Sequence, residues 1–179
     1  MIYIQEIADA AIMTLIVGFI FMPFFSSISK RKEEPLLAIK KWNYFDWKAF
    51  GFSAAVVAPA IILHEFGHKF VAMGFGMTAT FHAAYLWLII GLLLRVAGAP
   101  FIFFVPAFVS ISEASNPAIH SFVAFAGPGT NLILWAIAFI LIKNKKINKD
   151  WKPFLIITAR INLFLFIFNM LPIPPFDGY

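Results

Sequence analysis

Of 179 residues, 61% are hydrophobic and 13% charged, with a mean hydropathy of +0.86, whereas a soluble domain is about half apolar and about a quarter charged. Phe alone supplies 23 residues, more apolar side chain than a chain of this size hides in one core, which excludes a soluble globular protein and makes lipid the solvent. Cysteine is absent and the net charge is +5, so disulfides, Cys-ligated zinc and iron–sulfur clusters are excluded and any metal must use His, Asp or Glu. The charge does not mark a nucleic-acid binder. Eleven of the 14 basic residues fall in two short stretches, Lys30 to Lys48 and Lys143 to Lys152, which read as membrane-flanking loops.

A spanning helix needs about 20 mostly apolar residues, and four stretches meet that requirement. The first, Ile7 to Ile28, is preceded by Glu6 with Asp9 at its start, and no small-residue cleavage site follows. It therefore reads as a retained anchor and not as a signal peptide. The second, Ala49 to Phe75, carries His64, Glu65, His68 and Lys69 inside it and Pro59 five residues ahead of them, where a kink is expected. Between the second and third spans, Ala83 to Leu94 is apolar but too short to cross, Arg95 to Pro100 is a breaker cluster, and Phe101 to Ile111 is rich in β-formers. Such pieces re-enter, because non-helical backbone at membrane depth must be buried in protein or line a watery cavity. The third span is Ala118 to Ile142. The fourth is Pro153 to Leu171, closing on Pro172-Ile173-Pro174-Pro175. The expected fold is an all-α multi-pass membrane protein of four transmembrane helices, with a re-entrant segment of β character between the second and third.

The sharpest chemical signal is His64-Glu65-Phe66-Gly67-His68. Residues four apart on a helix leave the same face one turn apart, so both imidazoles can converge on one zinc ion with Glu65 beside them to deprotonate a zinc-bound water. Two His and a Glu in one turn of a lipid-embedded helix are costly and functional by default, although a hydrogen-bonded polar cluster between helices is the bland alternative. The missing third ligand should be a carboxylate or His at the same depth. Asp177 is the best candidate: the prolines before it stop the helix and leave an extended stretch that can turn a carboxylate back toward the bundle. Read alone, that stretch is a Pro/Asp/Gly loop at a helix end. His82 and His120 stand singly near predicted membrane boundaries, where polar anchoring is commoner than ligation.

Together these pieces resemble the site-2 protease family of intramembrane zinc metalloproteases, peptidase family M50. The resemblance rests on His64-Glu65-Phe66-Gly67-His68, on Gly127-Pro128-Gly129-Thr130-Asn131, and on Asn169, Pro172, Pro175 and Asp177-Gly178, in that order. It implies that His64, His68 and Asp177 bind one Zn2+ and that Glu65 is the catalytic base. It also implies that Asn131 and Asn169 lie near the site, holding the substrate strand or the developing oxyanion; for each, a helix-packing hydrogen bond is the alternative. It divides the chain into an anchor and basic loop over 1–48 and a metalloprotease core over 49–179. Members of the family continue past this last motif, so the resemblance implies a core truncated at its C-terminus, with a third ligand liable to fray two residues from the end.

The depths agree. Lys48 to His64 is 16 residues and Lys152 to Asn169 is 17, or about 24 and 26 Å at roughly 1.5 Å per residue, so both halves of the site meet at one level if the two basic loops share a face. The charge bias puts those loops in the cytoplasm. The resemblance puts the zinc nearer the cytoplasmic face of the cell membrane and the loops outside. The expected activity is hydrolysis of peptide bonds in membrane-spanning protein substrates, with lipid and substrate but no nucleic acid as partners. The rivals are a catalytically inactive membrane scaffold and a metal-binding transporter, the latter disfavoured because the ionisable residues gather mainly at one depth instead of tracing a path.

Overall fold

A computed structural model describes residues 2–29, 45–99, 105–112, 116–174 and 176–179. Among the described residues, four helices are long and apolar enough to cross a membrane: α1 (Ile4–Ser29), α2 (Trp47–Gly74), α4 (Pro117–Lys143) and α5 (Lys152–Asn169). Their ends follow local chemistry. The Asp46 carboxylate accepts from the Ala49 N–H (3.0 Å) to start α2, and the Asn116 amide oxygen accepts from the Ala118 N–H (2.8 Å) to start α4, with Pro117 in the first turn. Pro153 stands at the corresponding place in α5. Past α2 the chain turns at Gly76, whose φ of +78° is the left-handed region that glycine enters without a side-chain clash. Pro23, Pro59 and Pro128 lie inside α1, α2 and α4, each of which continues through its proline. Most of the first basic stretch, 30–44, lies outside the described residues.

The intervening segment holds a strand that the sequence reading did not anticipate. β1 (Ala79–Ala83) pairs antiparallel with β2 (Ala107–Ile111), with Phe81 opposite Val109 and Ala83 opposite Ala107, and the short helix α3 (Tyr85–Val96) fills the excursion between them. The ends of the ladder fix its phase. Ala84 N–H donates to Pro106 O and Ser112 N–H to Thr78 O, both 3.0 Å, so even-numbered residues face each other across the sheet. The backbone groups of 79, 81 and 83, and of 107, 109 and 111, therefore point away from the partner strand. The apolar side chains Ala79, Phe81, Ala83 and Ala107 are buried against the helices.

α2 is the hub, packed against α1, α4, α5 and both strands. Lipid tails are as apolar as leucine, so helices in a membrane gain little from apolar contact alone and need close backbone approach or polar ties. Both are present. A Cβ on Gly18 would sit 2.9 Å from Ala54 Cβ, and one on Gly67 would meet Ala126 O at 2.6 Å and the Thr130 hydroxyl. The α2–α4 crossing thus exists at its present spacing because position 67 has no side chain. A methyl there must push two backbones apart, and overpacking of this kind costs about 1–3 kcal/mol. Gly67→Ala should accordingly lower the melting temperature of the detergent-solubilised chain, measured by intrinsic fluorescence, while Gly51→Ala, which faces open space, should not.

Candidate metal centre

His64 and His68 leave α2 one turn apart, both buried, with ring centroids 4.8 Å apart. Their Nε2 atoms are 3.2 Å apart. Asp177 closes the triangle: Oδ2 is 3.1 Å from His64 Nε2 and Oδ1 is 3.4 Å from His68 Nε2. Zinc bonds to N and O of about 2.0–2.1 Å set tetrahedral ligand atoms roughly 3.3–3.4 Å apart; the His–His edge and the contacts of the two Asp177 oxygens, one to each histidine, are close to that spacing. This is the group of metal-ligating side chains that stands out among the described residues. His82 and His120 are not in it: His82 lies beside Phe108 on the sheet, and His120 is an exposed residue of α4.

The protonation of the imidazoles follows from the atoms behind them. Asn131 is fully buried, and its Nδ2 donates to the Ala60 carbonyl (3.0 Å), a group that can only accept. That fixes the amide orientation, so Asn131 Oδ1, 2.6 Å from His64 Nδ1, must accept from it. His68 Nδ1 likewise donates to the Val123 carbonyl at 2.7 Å. With a proton on each Nδ1, the neutral rings turn bare Nε2 lone pairs toward one another and toward a carboxylate. Asp177 Oδ2 is buried and accepts no hydrogen bond among the described residues. Ligation requires the ionised carboxylate of Asp177. Acceptors converging without a donor fit a cation, and backing each metal-side nitrogen with an acceptor on the other ring nitrogen is how proteins orient ligating histidines.

Two glycines shape the site. A Cβ on Gly127 would collide with His68 Nε2 and lie 2.7 Å from His64 Nε2, so α4 approaches the ligand atoms with bare backbone. Gly178, whose Cβ would meet the Met170 carbonyl oxygen at 2.5 Å, lets the chain fold back on the end of α5, where its N–H donates to Asn169 O at 2.8 Å. Phe176 packs on Phe168, centroids 4.4 Å apart. These contacts tie down the segment for which fraying was expected and deliver Asp177 to the histidines. Pro175 lies outside the described residues.

The ligand atoms open onto a cavity of about 1060 Å³, also lined by Glu65, Asn169, β2 and aromatic side chains of α1 and α5. The backbone of Asn169 caps the fold-back while the residue borders the cavity, and the amide of Asn131 is engaged at both ends. Sequence reasoning missed Asn162, buried in α5, whose Oδ1 accepts from Asn131 Nδ2 at 2.9 Å and whose Nδ2 donates to Thr158 O at 2.8 Å. An amide in the middle of an apolar span was the available signal.

A Methanocaldococcus jannaschii protein named "putative zinc metalloprotease" is 37% identical over 176 residues, covering 97% of this chain and 81% of the relative. The chain belongs to that zinc metalloprotease family. A Bacillus subtilis protein also named "putative zinc metalloprotease" is 39% identical over 66 residues, 32% of this chain and 30% of its own length. No family model and no solved structure matches.

Loss of an outer-shell partner typically weakens metal binding about 10–100-fold. Asn131→Ala should therefore retain the fold and bind zinc that much more weakly in competition with a chromogenic chelator. Gly127→Ala, which places a methyl among the ligand atoms, should bind none at stoichiometric zinc.

Proposed function

We propose that the chain is an intramembrane zinc metalloendopeptidase of the site-2 protease type, family M50, that holds one Zn2+ and hydrolyses peptide bonds of membrane-spanning protein substrates. The observation that carries this reading is the convergence of His64 Nε2, His68 Nε2 and Asp177 on the wall of a cavity that Glu65 and the edge of β2 share. Zinc in that place supplies a Lewis acid that lowers the pKa of water toward about 7 and polarises a carbonyl.

The remaining work falls to the chain. Glu65 is the general base: its carboxylate takes a proton from the attacking water and later returns it to the leaving amine. Asn169 lines the cavity and is the residue we assign to the substrate strand or developing oxyanion. Asn131, with its amide engaged, contributes by holding His64. A transmembrane helix hides its scissile carbonyls in i to i−4 hydrogen bonds, so the substrate must unwind before attack. Ala107, Val109 and Ile111 line the cavity and have backbone groups that point away from β1, and on this reading an unwound segment adds there as a third strand. The surrounding aromatic side chains suit an apolar substrate. The two basic loops lie outside the cell membrane and the metal nearer its cytoplasmic face.

Glu65→Gln should reduce cleavage of a membrane-spanning reporter by about 10²–10⁴-fold, the range for loss of a general base, with zinc content unchanged by metal analysis. Near-wild-type turnover would sink the mechanism. Orientation has its own test, since the chain lacks cysteine. Single cysteines at Lys32, Lys146 and Ser115, of which 32 and 115 lie outside the described residues, should react with an impermeant thiol reagent in intact cells at 32 and 146 but not at 115.

A further inference from the structure

α1 carries two acidic residues, Glu6 and Asp9, that are almost fully buried and that the chemistry above does not use. Three residues apart, they share one face of the helix. That face lies along the edge of β1 that points away from β2. Glu6 Oε1 accepts from the Phe81 N–H at 2.7 Å, and Asp9 Oδ2 accepts from the Ala83 N–H at 3.1 Å. These are the outward donors of alternate residues, as the phase of the ladder requires. Each carboxylate has a second tie. Glu6 Oε1 also accepts from the Lys69 ammonium and Oε2 from the Tyr3 N–H (2.7 Å), while Asp9 Oδ1 accepts from the Tyr85 hydroxyl (2.6 Å). Lys69 is completely buried and follows the ligand His68 directly in α2.

Two consequences follow. The β1 edge is closed, because a strand adding there would find its partner donors already bound to carboxylates. Addition to β2 is thereby enforced, on the side that faces the cavity. The sheet is also tied at Phe81, through Glu6 and Lys69, to the helix turn that carries the metal ligands. In an antiparallel pair a one-residue slip reverses every side chain, and any movement of β1 carries β2 with it. Resting on the protease reading, we propose that Glu6 and Asp9 are positioning residues that clamp the sheet from its closed edge. They fix which backbone carbonyl of a substrate strand on β2 stands opposite Glu65 and the metal ligands.

The test uses the full chain in detergent with a membrane-spanning reporter whose cleavage products are mapped by mass spectrometry. Asp9→Ala removes one tie. The double variant Glu6→Ala, Lys69→Met removes the other without leaving a buried ammonium unpaired. Asp9→Asn keeps an oxygen for the Ala83 N–H. In the first two, zinc content should stay at the wild-type value, amide exchange over 79–83 should accelerate at least about tenfold, KM should rise by a similar factor, and cleavage should spread to neighbouring bonds. Asp9→Asn should keep the single wild-type cut and wild-type exchange. A single unshifted cut with unchanged KM in both disrupted variants overturns the proposal, as does unchanged exchange. If the wild-type chain cleaves nothing, the protease reading fails by itself. The exchange measurement then still decides the clamp, since protection at Phe81 and Ala83 that survives both disruptions overturns it.

Discussion

Two imidazole nitrogens and the two oxygens of one carboxylate, acceptors that repel one another, are held with His–His and His–Asp separations of 3.1–3.4 Å, and much of the architecture answers to that constraint. A neutral imidazole offers its lone pair inward only when its other nitrogen is occupied outward, so α4 must place an acceptor behind each ring. It does so with Asn131 and the Val123 carbonyl, two turns apart on one helix. The same helix must come within contact of the ligand atoms without filling the space between them. Gly127 meets that requirement on α4 and Gly67 meets it on α2. The third ligand arrives from the segment that follows α5, and its fold-back depends on glycine at 178, where a Cβ would meet the Met170 carbonyl oxygen. Removal of any of these supports leaves the ligands present but unaligned.

Among the described residues, two systems of buried polar ties stand out. One runs from His64 through Asn131 to Asn162 and joins α2, α4 and α5 behind the metal ligands. The other runs from Lys69 through Glu6 and Asp9 to the backbone of β1 and joins α2, α1 and the sheet. Between helices that gain little from apolar burial in lipid, each buried tie is worth about 0.5–2 kcal/mol. Their greater effect is directional, since each fixes rotation and height of one element relative to α2 in a way apolar contacts do not. The cavity has the metal ligands on one wall and β2 on another.

Legibility from sequence followed the range of the interactions. The four spans were readable within a few residues because hydrophobicity over about 20 residues is a local property, and the shared face of His64 and His68 follows from helical pitch. Asp177 was readable only as a candidate: Phe176-Asp177-Gly178 alone is a loop, and its approach to the histidines depends on Gly178 packing against Met170. β1 escaped notice because Ala79-Thr80-Phe81-His82-Ala83 carries little strand preference. Its partners are carboxylates 75 and 74 residues away in the chain and a strand across an intervening helix. Asn162 was a different failure. The signal, an amide in a lipid-embedded helix, was present in the sequence, but the helix-packing alternative left open for Asn131 came with no partner on α5.

The buried pair of Lys69 and Glu6 also bears on how such a chain enters a bilayer. An unpaired lysine in an inserting helix is costly, reaching about 2.5–3.5 kcal/mol at the helix centre on insertion scales, and Lys69, in the C-terminal part of α2, adds to two histidines and a glutamate in the adjoining turn. Glu6 belongs to the helix that precedes α2 in the chain, so its carboxylate is already at the membrane when the ammonium arrives. Partitioning of α1 and α2 as a neutralised hairpin, with the later helices added against them, is the route that never exposes Lys69 alone to hydrocarbon.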